Sequence, residues 1–119
     1  MIKIFNSPKT NTYGGISMVG KYIFMSRRYV DYTEYFIYKI DEIYKDSFPS
    51  IYKSQRSYKL VVFKDPNKKI DLVDHLTGIE LNAQDTLYEI TINDFMKYLK
   101  IMIDYDAKKS KFFNINDFN

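Results

Sequence analysis

The chain has 119 residues, 45% hydrophobic and 28% charged, which fits one domain spanning 1–119 with a core of its own rather than a disordered polymer. It has no cysteine and a single histidine, His75, which excludes disulfide stapling, cysteine nucleophiles, thiolate metal centres and any two-histidine motif, so no metal or cofactor is expected. The net charge of +3 is unevenly held: residues 1–69 carry 13 Lys and Arg against 6 Asp and Glu, and residues 70–119 carry 5 against 9. That asymmetry favours an anionic partner docking on the first half of the chain. The opening MIKIFNSPKT lacks the apolar stretch of a signal peptide, and no run approaches the roughly 18 apolar residues of a membrane helix, so no membrane contact and a cytoplasmic location are expected.

In chain order, residues 2–5 read as a short strand closed by a turn at Asn6-Ser7-Pro8, because proline fixes φ and donates no backbone hydrogen bond. Gly14-Gly15 supplies a break, and residues 16–25 are rich in strand formers, with Gly20 suggesting a bulge. From Asp31 the apolar spacing changes: Tyr32, Tyr35, Phe36, Ile40, Ile43 and Tyr44 recur every three or four residues, with Asp31 and Glu34 placed as an acidic capping box, which predicts a helix over 32–45. Residues 47–57 read as a surface loop carrying Lys53 and Arg56.

YKLVVF, residues 58–63, predicts a central strand. After Lys64-Asp65-Pro66, Asn67 is placed to cap a helix whose apolar positions Ile70, Leu72, Val73 and Leu76 run to Gly78. Residues 79–81 read as a short bridge and 86–92 as an alternating strand. Residues 94–105 satisfy a helical and a strand period alike. The closing FFNINDFN offers aromatics to close a sheet edge or pack on a second subunit. The expected architecture is therefore an α/β single small domain, with a mixed or largely antiparallel sheet and two principal helices.

A strand, a polar turn and a capped helix leave backbone donors at the helix start, and Lys64, Lys68 and Lys69 surround it, so this turn is the primary candidate for anion binding. The glycine-rich cradle of a P-loop is missing. Arg27, Arg28, Lys53 and Arg56, with Tyr29 and Tyr58 nearby, form a secondary anion-binding set that combines phosphate contacts with stacking.

Three stretches read together resemble the viral ring-nuclease family, small dimeric anti-CRISPR proteins that remove the cyclic oligoadenylate messenger of type III CRISPR defence. IFNSPKTNTYG, residues 4–14, is similar to the family's opening strand and turn; IDLVDHLTGIEL, residues 70–81, to its helix into a glycine and strand; and TLYEITINDFMKYLKIMI, residues 86–103, to its hairpin if the second half is a strand. The family's Gly-His and acidic residue are absent from the corresponding turn, which reads Phe63-Lys64-Asp65-Pro66-Asn67, and residues 29–57 are longer than its compact members require. His75 lies beyond the position of that catalyst and is given no catalytic role; no other catalytic residue is assigned.

The resemblance implies a homodimer in the host-cell cytoplasm that binds a cyclic oligoadenylate without the family's cleavage chemistry. Asn6 and Ser7 would supply hydrogen bonds, Asn67 would orient the helix, and Lys64, Lys68 and Lys69 would neutralise phosphate. Two other functions suit the same composition. The twelve tyrosines and the arginines fit the surface of an inhibitor that binds a host defence or replication protein. The basic first half equally fits a small nucleic-acid-binding protein, although no helix-turn-helix, RNP or OB signature is present.

Overall fold

The computed structural model describes residues 2–5, 19–44, 51–74, 78–80, 82, 84–109 and 112–119, the segments 2–5, 43–44 and 51–53 by their backbone alone. Nine strands, one α-helix and one 3-10 turn are formed by these residues: β1 (Ile2–Phe5), β2 (Tyr22–Arg28), β3 (Tyr32–Lys39), β4 (Glu42–Tyr44), β5 (Ile51–Lys53), β6 (Ser57–Phe63), β7 (Asp71–Asp74), β8 (Ile79–Glu80), β9 (Asp85–Ile90), α1 (Ile92–Ala107) and a 3-10 turn at Ile115–Phe118. Six strands make the main sheet in the order β1-β9-β2-β3-β6-β7, with every pairing antiparallel. A small second sheet has the order β4-β5-β8. The expected α/β class and antiparallel sheet are thus present.

Strand alternation divides the core in two. Phe24, Ile37 and Leu60 point to the face covered by Phe95, Tyr98 and Met102 of α1 and by Phe118. Ile23, Met25, Phe36, Tyr38 and Leu87 point to the other face, where Ile40 and Ile79 of β8 join them. β3 is buried on both faces, and its consecutive Phe36, Ile37 and Tyr38 are all inaccessible or nearly so. This explains the first departure from expectation. Where a helix over 32–45 is expected, Tyr32–Lys39 and Glu42–Tyr44 form β3 and β4, because a strand covered on both sides is apolar at successive positions and loses the two-residue period by which strands are recognised. Its tyrosine, phenylalanine and β-branched content suits the extended backbone. Asp31 and Glu34 accordingly form no capping box: Asp31 sits in the β2 to β3 turn, and Glu34 is buried in β3 with Lys59 Nζ 2.7 Å from its carboxylate.

The second expected helix, 67–77, is also absent from the described residues. Asp71–Asp74 is an edge strand that pairs with β6, Val61 opposite Asp71 and Leu60 opposite Leu72. The polar stretch 64–70 is therefore the loop of a hairpin, and Ile70, Leu72 and Val73 serve the sheet. The ambiguous stretch 94–105 is helical. Thr91 accepts a hydrogen bond from the Asp94 amide at 3.0 Å as N-cap, and Phe95, Tyr98 and Met102 bury one face of α1. Residues 71–74 thus form a strand where the resemblance implies a helix, and residues 92–103 a helix where it implies the second strand of a hairpin.

Part of the expected loop 47–57 is likewise ordered as β5, with Ser54 buried beyond it. The C-terminal aromatics close neither sheet edge. Instead Phe113 and Phe118 fold back over the sheet, with Phe118 fully buried and its ring centroid 5.5 Å from Phe24 and 5.2 Å from Tyr98, while Phe113 stacks on Tyr35 at 4.8 Å. The expected turn at residues 6–8, the break at Gly14-Gly15 and His75 lie outside the described residues. Gly20 precedes β2 with φ of +89°, a conformation that suits glycine, and its amide donates to the Ile40 carbonyl at 2.7 Å.

Because Phe118 joins the 3-10 turn to both α1 and the sheet, Phe118→Ala should cost about 3–5 kcal/mol in urea unfolding, the range for truncating a buried aromatic. A surface change such as Asn116→Ala should cost far less.

Candidate functional site

Antiparallel pairing sends the β2 to β3 turn and the β6 to β7 hairpin loop to the same end of the main sheet. Tyr32 stands opposite Phe63 in the β3–β6 register, and the Lys64 amide donates to the Asp31 carbonyl at 2.9 Å, which fixes one loop against the other. Arg28 ends β2 at this end, and residues Lys64, Asp65, Pro66, Asn67, Lys68 and Lys69 are all exposed there. Two basic groups that the sequence presents separately are in this way gathered together. Among the described residues, none of Arg28, Lys64, Lys68 and Lys69 takes part in a salt bridge.

Aromatic rings back these cations. Tyr29 stacks on Tyr32 with centroids 4.6 Å apart, Tyr32 contacts Phe63 at 6.0 Å, and Lys68 Nζ lies 5.3 Å from the Phe63 ring centroid. The loop itself is organised by Asp65, whose carboxylate accepts from the Asn67 amide at 2.9 Å and whose carbonyl accepts from the Lys68 amide at 3.1 Å. Asn67 therefore caps no helix, and no helix dipole acts at Lys64, Lys68 and Lys69; what they offer an anion is side-chain charge.

The other predicted residues are placed differently. Arg27 points to the opposite face of β2 from Arg28 and is committed to the fold. Its guanidinium grips Asp85 through two hydrogen bonds, Nε to Oδ1 at 2.7 Å and Nη2 to Oδ2 at 3.0 Å, donates to the Glu80 carbonyl at 2.5 Å, and lies 5.0 Å from the Phe36 ring centroid. The two side chains are only 11% and 1% exposed. Burial opposes the Arg27 charge, but hydrogen bonding and attraction to Asp85, with a smaller contribution from Tyr29, outweigh it and hold the guanidinium above its ordinary pKa. Arg56 is exposed at the far end of the sheet, where its carbonyl accepts from the Lys39 amide at 3.2 Å. Lys53 lies in β5 and its side chain is outside the described set, as are Asn6 and Ser7. The backbone of β1 nevertheless runs with Phe5 opposite Leu87 and Ile2 opposite Glu89, so the chain leaves β1 toward the basic end.

Sequence reasoning did not find a cleft of about 630 Å³ that opens beside Arg28 on the α1 face. Its floor is Phe24, Ser26 and Arg28 of β2 with Tyr35 and Tyr88 from the strands on either side, and its walls are Asp94 and Tyr98 of α1 and the C-terminal segment at Ile115, Phe118 and Asn119. The alternation of Tyr88 and Ile90 in β9 signals the face, but the walls depend on how the C-terminal segment folds back. Burial raises the pKa of Tyr35, with the nearby Arg28 charge drawing it partly down, and burial followed by Asp94 raises that of Tyr98. Among the described residues, no group of three or more His, Cys, Asp and Glu is gathered as a metal would require, and no helix is long and apolar enough to cross a membrane.

No protein-family model, no curated protein and no solved structure matches the chain.

Removal of the Asp85 carboxylate by Asp85→Ala should destabilise the protein by about 3–5 kcal/mol in chemical unfolding, since it leaves the Arg27 charge buried without its partner. In alkali the tyrosines should dominate. Tyr35 and Tyr98 keep their protons above the ordinary pKa of 10.0 when folded and release them earlier when unfolded, so the native state binds more protons in that range and unfolding free energy falls as pH rises beyond 10. Ultraviolet titration should place both above the ordinary tyrosine value, and Tyr35→Phe should flatten the alkaline decline.

Proposed function

We propose that the chain binds a phosphate-bearing oligonucleotide at the basic end of its main sheet, with a cyclic oligoadenylate as the ligand that the family resemblance implies. The observation that carries this reading is the convergence of Arg28, Lys64, Lys68 and Lys69, free of salt bridges among the described residues, on the aromatic series Tyr29, Tyr32 and Phe63. Phosphate contacts supply affinity that weakens with salt, and aromatic rings supply stacking that any base can use. The role is binding; no side chain is assigned to bond breaking. A virus or mobile element would use such a protein against host defence by holding the messenger, in the cytoplasm and as a homodimer.

A second reading, inhibition of a host protein through direct contact, is favoured by one feature: Ile92, Met96 and Ile103 lie along the outer side of α1 with 51%, 56% and 48% of their surface exposed. Salt separates the two. Capture of a host protein through that apolar stripe tolerates salt, whereas oligonucleotide binding through four cations does not.

Thermal shift and product analysis with cyclic oligoadenylates of several ring sizes, linear oligoadenylate and an unrelated single strand should show stabilisation by the preferred ligand without new product. Joint replacement of Lys64, Lys68 and Lys69 by alanine should weaken binding and reduce the slope of log affinity against log salt by about 0.7 for each phosphate that is no longer neutralised. Unchanged affinity and slope in a folded triple variant would remove the site assignment.

A further inference from the structure

Arg28 belongs to two features at once: it is part of the basic end, and it forms one margin of the cleft on the α1 face. A strand whose phosphates lie along Lys64, Lys68 and Lys69 can therefore place a neighbouring residue in the cleft without leaving the cationic surface. The volume of about 630 Å³ is within the range of small-ligand sites and exceeds what one nucleotide needs.

The lining suits a planar aromatic guest. Tyr35 and Tyr88 of the sheet are half-buried and leave part of their rings open to the cleft, backed by Phe24, Tyr98 and Phe118, which are buried. The rings already pack against one another, with Phe24 6.3 Å from Tyr88 and 5.6 Å from Tyr98 between centroids, so the walls are held in place before a guest arrives. The two charged residues of the lining are of opposite sign: Arg28, at the end of β2, and Asp94, in the first turn of α1. An arginine suits the phosphate. A carboxylate accepts hydrogen bonds and donates none, so it rewards a base that presents an amine and is repelled by one that flanks its only ring N–H with carbonyl oxygens.

We infer that this cleft is a nucleobase subsite, in which one base of the bound strand packs against Tyr35 and Tyr88 while Asp94 favours bases carrying an exocyclic amine, adenine among them, over uracil. The inference rests on the oligonucleotide-binding reading above and deepens it, since the basic end alone distinguishes no base from another.

Fluorescence anisotropy with labelled tetramers of adenylate, uridylate and an abasic sugar-phosphate of equal charge tests both. The wild-type protein should bind adenylate about ten-fold tighter than the abasic strand, as one well-stacked base permits, with uridylate between them. Tyr88→Ala should bring adenylate toward the abasic affinity, Tyr88→Phe should preserve the wild-type order, and Asp94→Asn should narrow the gap between adenylate and uridylate while both stay above the abasic strand.

Equal binding of adenylate and abasic strands by the wild-type protein overturns the subsite and leaves the phosphate-binding reading standing, a comparison that depends on no variant. A base preference that Asp94→Asn leaves intact overturns the selectivity assigned to that carboxylate. Absence of binding by all three strands overturns the reading beneath, and the subsite falls with it.

Discussion

β3 carries Phe36, Ile37 and Tyr38 in succession, and all three are buried because the main sheet is covered on both sides. Phe36 and Tyr38 look into the cluster that Ile40 and Ile79 complete, and Ile37 looks into the cluster beneath α1 and Phe118. A strand so placed has one workable register with each neighbour, since a slip of one residue would exchange its two apolar faces and turn Glu34 toward α1. The pairing of β2 and β6 on either side of it follows from that register, and so does the end of the sheet at which their loops emerge. Tyr32 opposite Phe63 and Arg28 opposite Thr33 are direct consequences.

Paired charge follows the same logic. Arg27 with Asp85, Lys59 with Glu34 and Lys21 with Glu89 each sit on the face of the sheet away from α1 or at its margin, and each is neutralised by a partner from an adjacent strand or its extension. These three cations belong to the basic first half of the chain but contribute little to the field outside it. The surplus an anion would meet at the end of the sheet is carried by Arg28 and the three hairpin lysines, which are exposed and unpaired among the described residues. Neighbours in sequence, Arg27 and Arg28 divide these tasks because successive side chains of a strand point to opposite faces.

How far the sequence could be read depended on where each signal resides. β1, β6, β8 and β9 were legible because their apolar runs are short and closed by turn residues, and the ambiguity of 94–105 is settled by Thr91, an N-cap three residues ahead of Asp94. β3 was illegible for the reason that makes it central: burial on both faces erases alternation and leaves spacings that coincide with a helix. The segment after Phe63 was misread because Asn67 and Gly78 suit a cap at either end of a helix as well as a hairpin loop and a strand exit, and only the pairing of Leu60 with Leu72 decides between them. Lys64, Lys68, Lys69 and Arg28 were each recognisable as basic surface. Their assembly was not, because it is created by contacts between residues more than thirty positions apart, and neither was the cleft, whose walls come from the opposite end of the chain.

The hydrogen bond from the Lys64 amide to the Asp31 carbonyl ties the two loops of the basic end where the β3–β6 pairing finishes at Tyr32 and Phe63. Such a site has no local precursor. A chain that has formed only the β2–β3 hairpin holds Arg28 and Tyr29 but none of the lysines, and one that has formed only the β6–β7 hairpin holds the lysines without the tyrosines. Closing the long segment between them is the slow, entropically costly part of assembling a sheet of non-local strands. An anion held there would therefore depend on, and reinforce, the stability of the whole main sheet rather than of a single loop.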